Sequence, residues 1–473
     1  MQKKWAVPVL LGTILLLMLF LAFTLNGTGE SGDSITHYQF ARYAFDHPWL
    51  FFDNWGKPLF TLLAAPFALF GFTGIKVFNV ILTILSMSAA YLAAKKMNLE
   101  NSWMVIVLLL IAPMNFALAF TGLTEPLFAT LIIGGLCLLY CNKVTMGLIV
   151  LSFLPFARSE GMFMLIIIAC WLVWQKKHTA CLWLASGQLL YAIIGYFHFK
   201  DFLWFYHSNP YSLKSGYGHG RWTDYLGDLP VIINLTSTIL LGLGCILVIF
   251  YGFIKRKQLR SDIPYTQLLL VWLLFIAYFS FHTIAWTFGL FASFGMTRII
   301  VGVAPLMAII CLYGFNGIAN LFGKWVNQQN FVRVFFICLV VFNIYYIGFS
   351  QKKFASTPGF AMNLTPDQEI ENKLAVYMKQ KYPDYKNHNV RYYAPYVGVA
   401  FDIDQFDLGK HDNAAPPAND DYVVWDQWFS VVEGGLQLET MQKDSSLVKD
   451  TTLTCKLGGV SDYSVVLFRR KTK

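Results

Sequence analysis

Charged side chains are rare in this 473-residue chain, and those best placed to do chemistry interrupt long apolar stretches. Only 13% of the residues are charged, against about 25% in typical soluble domains. Because an ionisable group at membrane depth is costly and usually functional, charges at the ends of apolar runs are the first candidates for a reaction. They occur in five segments, which carry Asp33, Glu125, Arg158 with Glu160, Arg221, and Arg298.

Asp33 comes shortly after the first apolar run and is followed by His37 and Tyr38. If residues 34–46 form a helix, Asp33 would stand at its N-cap, with His37 about one turn later. The aromatic residues of this stretch would let the helix lie in the plane of the membrane interface. Asp33 is therefore either a functional carboxylate or a simple helix cap.

Glu125 is the only acid in a turn between two apolar runs, and it stands directly before Pro126. A carboxylate at this place can hydrogen-bond a sugar hydroxyl or hold a metal ion. It can equally cap the next helix, because proline suits the first helical position.

Two arginines are placed to bind an anion. Arg158 lies with Glu160 between two short apolar runs, and Arg298 directly precedes the tenth run. A guanidinium can bind phosphate through its forked donors. The alternatives are an internal ion pair between Arg158 and Glu160 and, for Arg298, an anchor at the membrane interface.

The loop over residues 200–230 combines glycine, aromatic residues and histidine with Arg221. Such a loop either covers a substrate or is a long connector.

Eleven apolar runs must position these residues. The first, residues 5–25, has no charge and is long enough to cross a hydrocarbon core of roughly 30 Å. It is also longer than the apolar part of a signal peptide, which favours a retained span. The other runs cover about 75–94, 102–120, 126–141, 145–157, 161–174, 179–199, 231–254, 265–285, 299–321 and 331–350.

The charge of the loops predicts the orientation. If the N-terminus is cytoplasmic, the loops on its side hold thirteen basic residues and only two acids, Glu100 and Asp262. This bias is typical of cytoplasmic loops, and an odd number of spans places the C-terminus outside. Residues 1–365 carry a net charge of +12 and residues 366–473 one of −3, so the total of +9 reflects membrane topology and not nucleic-acid binding.

Residues 351–473 are predicted to form a small soluble α/β domain outside the membrane. A Thr/Pro/Glu signature begins a helix near 367–381, and strand-like runs follow at 390–393, 422–425 and 464–469. Within this part, Trp425-Asp-Gln-Trp-Phe is an aromatic sugar platform or, more simply, core packing. The predicted fold is thus an all-α polytopic membrane bundle over residues 1–350, with an outer loop at 26–74 carrying interfacial helices, followed by this domain.

No motif in the sequence points to a cofactor. Seven of the eight cysteines fall in or beside apolar runs, without a disulfide framework or zinc spacing. A Walker loop, a GxGxxG unit, an HExxH motif and a nucleophile elbow are all missing from the sequence. We expect no required cofactor: a divalent metal is compatible with these residues but is not indicated by them.

Residues 5–350 resemble the GT-C superfamily of integral-membrane glycosyltransferases, which use lipid-linked sugars. The resemblance lies in the order of five short motifs along the chain and in the side of the membrane on which they are predicted to lie. The resemblance is to the branch of protein O-mannosyltransferases and aminoarabinose transferases. The motifs are Gly32-Asp33 with His37-Tyr38, Trp55-Gly-Lys-Pro, Thr124-Glu-Pro-Leu-Phe, Ala157-Arg-Ser-Glu-Gly, and Gly295-Met-Thr-Arg298.

The resemblance implies an inverting transfer of mannose, or another hexose or pentose, from a polyprenyl monophosphate to a hydroxyl of a protein, lipid or glycan. Asp33 would be the general base, and Arg298 would hold the donor phosphate, helped by Arg158 or Lys57. Further substrate contacts would come from His37, Tyr38, Glu125, Glu160 and Arg221. The implied location is the bacterial inner membrane.

Two departures from the family pattern leave the acceptor open. Many members have two adjacent acids where this chain has Asp33-Ser34, and Arg-Pro-Glu-Gly where it has Arg158-Ser-Glu-Gly. Two other functions are alternatives. A transporter or flippase would need broken or charged helices at the bilayer midplane and an internal duplication, and neither is evident. A surface-polysaccharide polymerase or ligase would use a lipid diphosphate donor and shares the large outer loops.

Overall fold

The computed structural model describes residues 5–254, 261–322, 362–414, 420–457 and 461–471, with parts of 330–342. The proposed domain boundary at 350/351 and most of the predicted run 331–350 lie outside the described residues. So do eight of the basic residues counted for the orientation, namely Lys3, Lys4, Lys255, Arg256, Lys257, Arg260, Lys324 and Arg333.

Most of the described chain is helical, because long apolar runs can satisfy their backbone hydrogen bonds inside a helix. The helices of the bundle are α1 (Ala6–Thr24), α2 (Asp33–Tyr43), α3 (Pro58–Ala68), α4 (Gly71–Lys96), α5 (Met104–Leu110), α6 (Pro113–Leu118), α7 (Glu125–Tyr140), α8 (Val144–Leu151), α9 (Leu154–Ala157), α10 (Gly161–Trp174), α11 (Ser186–Phe199), α12 (Trp204–His207), α13 (Asp224–Ile233), α14 (Leu235–Ile254), α15 (Ile263–Thr287) and α16 (Ala304–Phe322). Short 3-10 helices cover Pro48–Phe52, His178–Ala185 and Thr297–Val303.

Six helical segments among the described residues are long and apolar enough to cross a membrane, and shorter apolar helices lie between them. The six are Ala6–Thr24, Gly71–Lys96, His178–Phe199, Leu235–Ile254, Ile263–Thr287 and Thr297–Leu321. The chain is therefore a multi-pass membrane protein, as the composition predicts. The predicted number of eleven spans stays a prediction.

Several predicted runs are interrupted in the structure. The run 102–120 divides into α5 and α6, with Pro113 beginning the second helix, and the run 145–157 divides into α8 and α9 near Pro155. Proline lacks the N–H that a continuing helix needs, which explains both breaks. In the first loop, α2 ends at Tyr43 and not at residue 46, and most of its side chains are buried by protein.

The described residues from 362 onwards form the small α/β unit that the sequence predicts. Its helix α17 (Pro366–Lys381) begins with a capping box, and a four-stranded sheet has the order β1-β2-β4-β3. The strands are β1 (Val390–Arg391), β2 (Tyr422–Asp426), β3 (Leu447–Leu457) and β4 (Ser461–Arg470), and the short helices are α18 (Pro395–Phe401), α19 (Phe429–Val432) and α20 (Leu438–Lys443). β1 and β2 are parallel, and the other pairs are antiparallel. Strand β3 was not predicted, because this edge strand is only half-buried and its one apolar face, Leu453, Cys455 and Leu457, is short and interrupted by polar residues.

This unit packs on the first loop of the bundle. The Gln368 amide donates to Thr28 Oγ1 at 2.7 Å, and Ser31 Oγ donates to Asp367 Oδ2 at 2.5 Å. Farther along the loop, a His47 ring nitrogen lies 2.8 Å from an Asp404 carboxylate oxygen. We call the end of the bundle that carries these contacts the domain face.

Candidate active site

Arg298 stands at the centre of a charged cluster on the domain face. It lies in the 3-10 helix Thr297–Val303, and only 4% of its side chain is exposed. Its Nη1 donates to Glu30 Oε1 at 2.5 Å, and its Nη2 donates to Asp33 Oδ2. Its Nε lies 4.0 Å from Glu125 Oε1. Three residues predicted from separate motifs therefore meet here, together with Glu30, which the sequence analysis missed.

Asp33 is the open part of this cluster. It is the first residue of α2, where Gly32 holds the N-cap position, and its carboxylate bonds to Arg298 and caps nothing. The helix-cap interpretation is therefore wrong. Its side chain is 39% exposed, against 13% for Glu30. Arg298 donates to Oδ2 of this carboxylate and leaves Oδ1 without a hydrogen bond from the guanidinium.

The two acids on Arg298 titrate differently. Burial raises the pKa of the Glu30 carboxyl, and attraction to Arg298 only partly offsets this. Burial would also raise the pKa of Asp33, but attraction to Arg298 outweighs it, so the net shift is downward. Environments that separate the pKa values of neighbouring carboxyls often separate their roles as well. The pKa of Asp33 is thus shifted downward, whereas that of Glu30 is shifted upward.

A second set of buried charged residues, Arg158 and Glu160, is connected to Arg298 through Glu125, which is 1% exposed. Arg158 Nη1 lies 2.8 Å from Glu125 Oε1, and Arg158 Nε donates to Glu160 Oε1 at 2.6 Å. The internal ion pair between Arg158 and Glu160, which the sequence offers as the alternative to anion binding, is thus present. Glu125 does not cap α7, because its carboxylate lies between Arg158 and Arg298.

Helix α15 contributes two polar residues that the sequence analysis did not select. The Tyr278 hydroxyl donates to Glu160 Oε1 at 3.1 Å, and His282 Nε2 lies 3.5 Å from the same oxygen. The two side chains are four residues apart, so both lie on one face of the helix. Their position inside the apolar run 265–285 was the signal that could have found them.

His37 lies one turn after Asp33 and is buried. Its ring stacks on Trp55, with 4.9 Å between the ring centroids. Burial lowers the pKa of His37 to about 3, opposed by the negative charge of Asp33 and reinforced by Lys57. The imidazole is therefore neutral at physiological pH and adds no positive charge to the site.

Lys57 occupies an unusual backbone position at the start of α3, with φ at 63°. Its buried ammonium donates to the Asn54 carbonyl at 3.0 Å and to the Tyr211 hydroxyl at 2.5 Å. It also lies 4.6 Å from the centroid of the Tyr211 ring. Both hydrogen-bond acceptors are neutral, so among the described residues no carboxylate compensates this charge.

Two predicted substrate contacts lie apart from the cluster. The Tyr38 ring packs on Phe72, with 5.4 Å between centroids. The Arg221 side chain is 86% exposed and pairs with Asp224 at 3.3 Å. The structure gives neither residue a contact with Arg298 or Asp33.

The turn before α7 fits closely against the start of α2. The Asn79 amide donates to the carbonyls of Thr121 and Leu123, and the Gly122 N–H donates to Ser34 Oγ at 2.7 Å. A Cβ on Gly122 would lie only 2.1 Å from the Ser34 carbonyl oxygen. A glycine is therefore needed where this turn holds Glu125 beside Arg298.

We predict that Gly122→Ala lowers activity by about 100-fold, because even a 1 Å displacement of reacting groups can cost that much. The matched control is Gly134→Ala in α7, where an added Cβ meets nothing within 4 Å. Both variants are compared by initial rates in the activity assay and by thermal unfolding. Equal rates in the two variants would show that this close contact does not position the site.

Among the described residues, no group of three or more histidine, cysteine, aspartate or glutamate side chains could hold a metal ion. The acids of the cluster are instead paired with guanidinium groups. Buried charges are tolerated when they are paired and hydrogen-bonded, which this arrangement achieves.

Comparison with solved structures shows that this chain shares its overall fold with ArnT, in agreement with the fold that the sequence resemblance implies. The structure of ArnT from Cupriavidus metallidurans bound to undecaprenyl phosphate matches with a TM-score of 0.58 at 12% identity, covering 98% of both chains. The structure of the same protein in the apo state matches with a TM-score of 0.59 at 11% identity, covering 98% of this chain and 97% of that one. No protein-family model and no curated protein sequence matches the chain.

Proposed function

We propose that this protein is a glycosyltransferase that moves a sugar from a polyprenyl monophosphate to an acceptor hydroxyl. The observation that supports this proposal most directly is the half-exposed Asp33 carboxylate, which is held by the buried Arg298 at the domain face. The shared fold supports the donor class, because the ArnT structure holds undecaprenyl phosphate. The sugar is mannose or another hexose or pentose.

In the proposed reaction, the acceptor oxygen attacks the anomeric carbon while the bond from that carbon to the phosphate oxygen breaks. The phosphate leaves with the bonding electron pair, and the free Asp33 oxygen accepts the proton of the hydroxyl. Arg298 holds the other oxygen and so fixes the direction of the carboxylate. A single displacement of this kind inverts the anomeric centre.

The three cations predicted to bind the donor phosphate differ in their partners. Arg298 is paired with Glu30 and Asp33, and Arg158 with Glu125 and Glu160. Lys57 has only neutral partners. We therefore assign the main phosphate contact to Lys57 and a positioning role to Arg298.

Tyr211 fits the same role. Its hydroxyl accepts a hydrogen bond from Lys57, so the proton of that hydroxyl is free to be donated to a phosphate oxygen. A preorganised ammonium and hydroxyl would stabilise the charge that develops on the leaving phosphate.

We place the protein in the bacterial inner membrane, with a cytoplasmic N-terminus and an extracytoplasmic C-terminal domain. The domains are the catalytic bundle over residues 1–350 and the α/β domain over 351–473. In this orientation the domain face is the outer face, where the acceptor would be a hydroxyl of a protein, lipid or glycan.

The donor class is tested by incubating the purified full chain with radiolabelled sugars on polyprenyl monophosphate and on polyprenyl diphosphate. We expect transfer from the monophosphate alone. Transfer only from the diphosphate would instead indicate a polysaccharide polymerase or ligase. Translocation of the lipid in vesicles, without transfer from either donor, would indicate a flippase.

A further inference from the structure

Residues of the C-terminal domain lie beside Asp33. We use the word wall for the surface formed by Trp428, Phe429 and Glu433 together with Tyr217 of the bundle. The ring of Phe429 lies over Gly32, the residue before Asp33, with 3.6 Å between Phe429 Cζ and the position of a Cβ on that glycine. One turn later, the Glu433 carboxylate accepts a hydrogen bond from the Tyr217 hydroxyl at 3.4 Å. The wall therefore joins helix α19 to the loop over residues 200–230.

Trp428 extends this wall with an exposed aromatic face. Its ring meets Phe429 edge-on, with 4.5 Å between the ring centroids, and the residue is 39% exposed. Trp425, in contrast, is buried, and its indole N–H donates to the Leu436 carbonyl. Of the two tryptophans in the segment singled out from the sequence, one is core and the other faces outward.

The wall is held rigidly. The buried Asp426 carboxylate accepts hydrogen bonds from the backbone N–H groups of Trp428, Phe429 and Ser430, at 2.9, 2.6 and 2.9 Å. These bonds fix the first turn of α19, as a capping aspartate does at a helix start. Rigid aromatic faces bind with little loss of side-chain entropy.

The wall itself carries a single charge, the negative charge of Glu433, whereas Asp33 beside it is paired with Arg298. Glu433 and Asp33 both border Tyr217: burial raises the pKa of the Tyr217 hydroxyl, and these two carboxylates add to the shift. A phosphorylated or carboxylated ligand would be repelled here. The proposed phosphate ligand, Lys57, is held elsewhere, by Asn54 and Tyr211.

We propose that Tyr217, Trp428, Phe429 and Glu433 form the acceptor subsite and that it takes an uncharged sugar residue carrying the reacting hydroxyl. This inference rests on the proposed function, which it deepens by naming the acceptor class. The aromatic faces pack against the C–H face of a sugar ring, and Glu433 accepts a hydrogen bond from a second hydroxyl. Asp33 then receives the hydroxyl nearest the donor.

The test measures binding and does not require turnover. Saturation-transfer NMR on the purified full chain compares methyl β-D-glucopyranoside, as a neutral probe, with glucose 6-phosphate, which adds a charge. We expect the neutral probe to bind better, and Trp428→Ala to weaken its binding by about tenfold, as loss of an aromatic contact does. The matched control is Trp222→Ala, because Trp222 is 60% exposed and packs on Phe288, outside the wall.

Two further results separate charge from shape. Glu433→Gln keeps the size of the side chain but removes its negative charge. It should therefore make the affinities for the neutral probe and for glucose 6-phosphate more similar. Equal binding to wild type and Trp428→Ala, or a preference for glucose 6-phosphate, overturns the proposal. Stronger binding of a serine-containing tripeptide amide than of the glucoside also overturns it and indicates a protein acceptor. If the binding pattern holds while no lipid-linked sugar is transferred, the subsite stands and the proposed reaction fails.

Discussion

Asp33→Asn is expected to reduce the rate of sugar transfer by about 100- to 10,000-fold, which is the usual contribution of a positioned general base. Asparagine keeps the shape of the side chain and can still accept a hydrogen bond from Arg298, but it cannot take the acceptor proton. Because the Asp33 side chain is 39% exposed, the variant should fold and insert normally. The rate is measured with saturating donor and acceptor, beside the thermal unfolding of each protein.

Two matched variants make this result specific. Asp46→Asn removes an exposed carboxylate shortly after the end of α2 and should leave the rate unchanged. Glu30→Gln should cost less than Asp33→Asn, since burial raises the pKa of Glu30 and the neutral form is easier for it to adopt. If Asp33→Asn keeps full activity, or if Glu30→Gln loses more, Asp33 is not the base.

The dependence of the rate on pH follows from the same geometry. The pKa of Asp33 lies below its ordinary value, so the carboxylate stays ionised as the pH falls through the usual range of aspartate, and activity is lost only below it. His37 has a pKa of about 3 and should give no inflection near pH 6.5. Arg298→Lys should move the acid limb of the rate profile toward higher pH, because a lysine cannot hold Glu30 and Asp33 at once with fixed forked donors and so weakens the contact that lowers the pKa of Asp33.

Sequence reasoning found most of the members of this site but not their pairing. Asp33, Glu125, Arg158, Glu160 and Arg298 stood out because charges are scarce among apolar runs. Their contacts could not be predicted, since Arg298 meets a carboxylate 265 positions away. Spacing along the chain carries no information about such a contact.

Other features escaped the sequence analysis for local reasons. Glu30 lies in an irregular segment between α1 and α2, where no periodic pattern marks a functional position. Tyr278 and His282 were not selected because they lie inside the apolar run 265–285 and were counted as part of a membrane span. The helical fold itself was predictable, because long apolar runs leave few other structures that satisfy the backbone.

The buried part of the site is a continuous charged network. Arg298, Glu125, Arg158 and Glu160 form successive pairs, and each is at most 14% exposed. Removing one partner of a buried pair leaves an uncompensated charge, which destabilises a protein by roughly 3–5 kcal/mol. If a mutation of one of these residues lowers the activity, the loss of folding stability and the loss of a catalytic contact would both contribute to it. Asp33 and Lys57 give cleaner tests. When Asp33 is replaced, Arg298 keeps its contact with Glu30, and when Lys57 is replaced, no carboxylate loses a partner.

Lys57→Met should lower kcat/KM for the lipid-linked donor by about 100- to 1,000-fold, the usual cost of losing one group that stabilises developing charge. Methionine fills much of the same volume among Asn54 and Tyr211, so the stem still packs while the charge is lost. No acid of the site loses an ion pair, since both hydrogen-bond acceptors of Lys57 are neutral.

The alternative assignment, with Arg298 as the main phosphate ligand, predicts a different pattern. In that case Lys57→Met would have a small effect, and Arg298→Lys would raise KM for the donor without moving the pH profile. The exposed Lys200, replaced by methionine, serves as the control for a general loss of positive charge. Direct binding of undecaprenyl phosphate to each variant then decides between them, because the cation that holds the leaving phosphate must also hold this lipid. A phosphate needs an uncompensated charge, and among the three predicted cations only Lys57 has no carboxylate partner in the described structure.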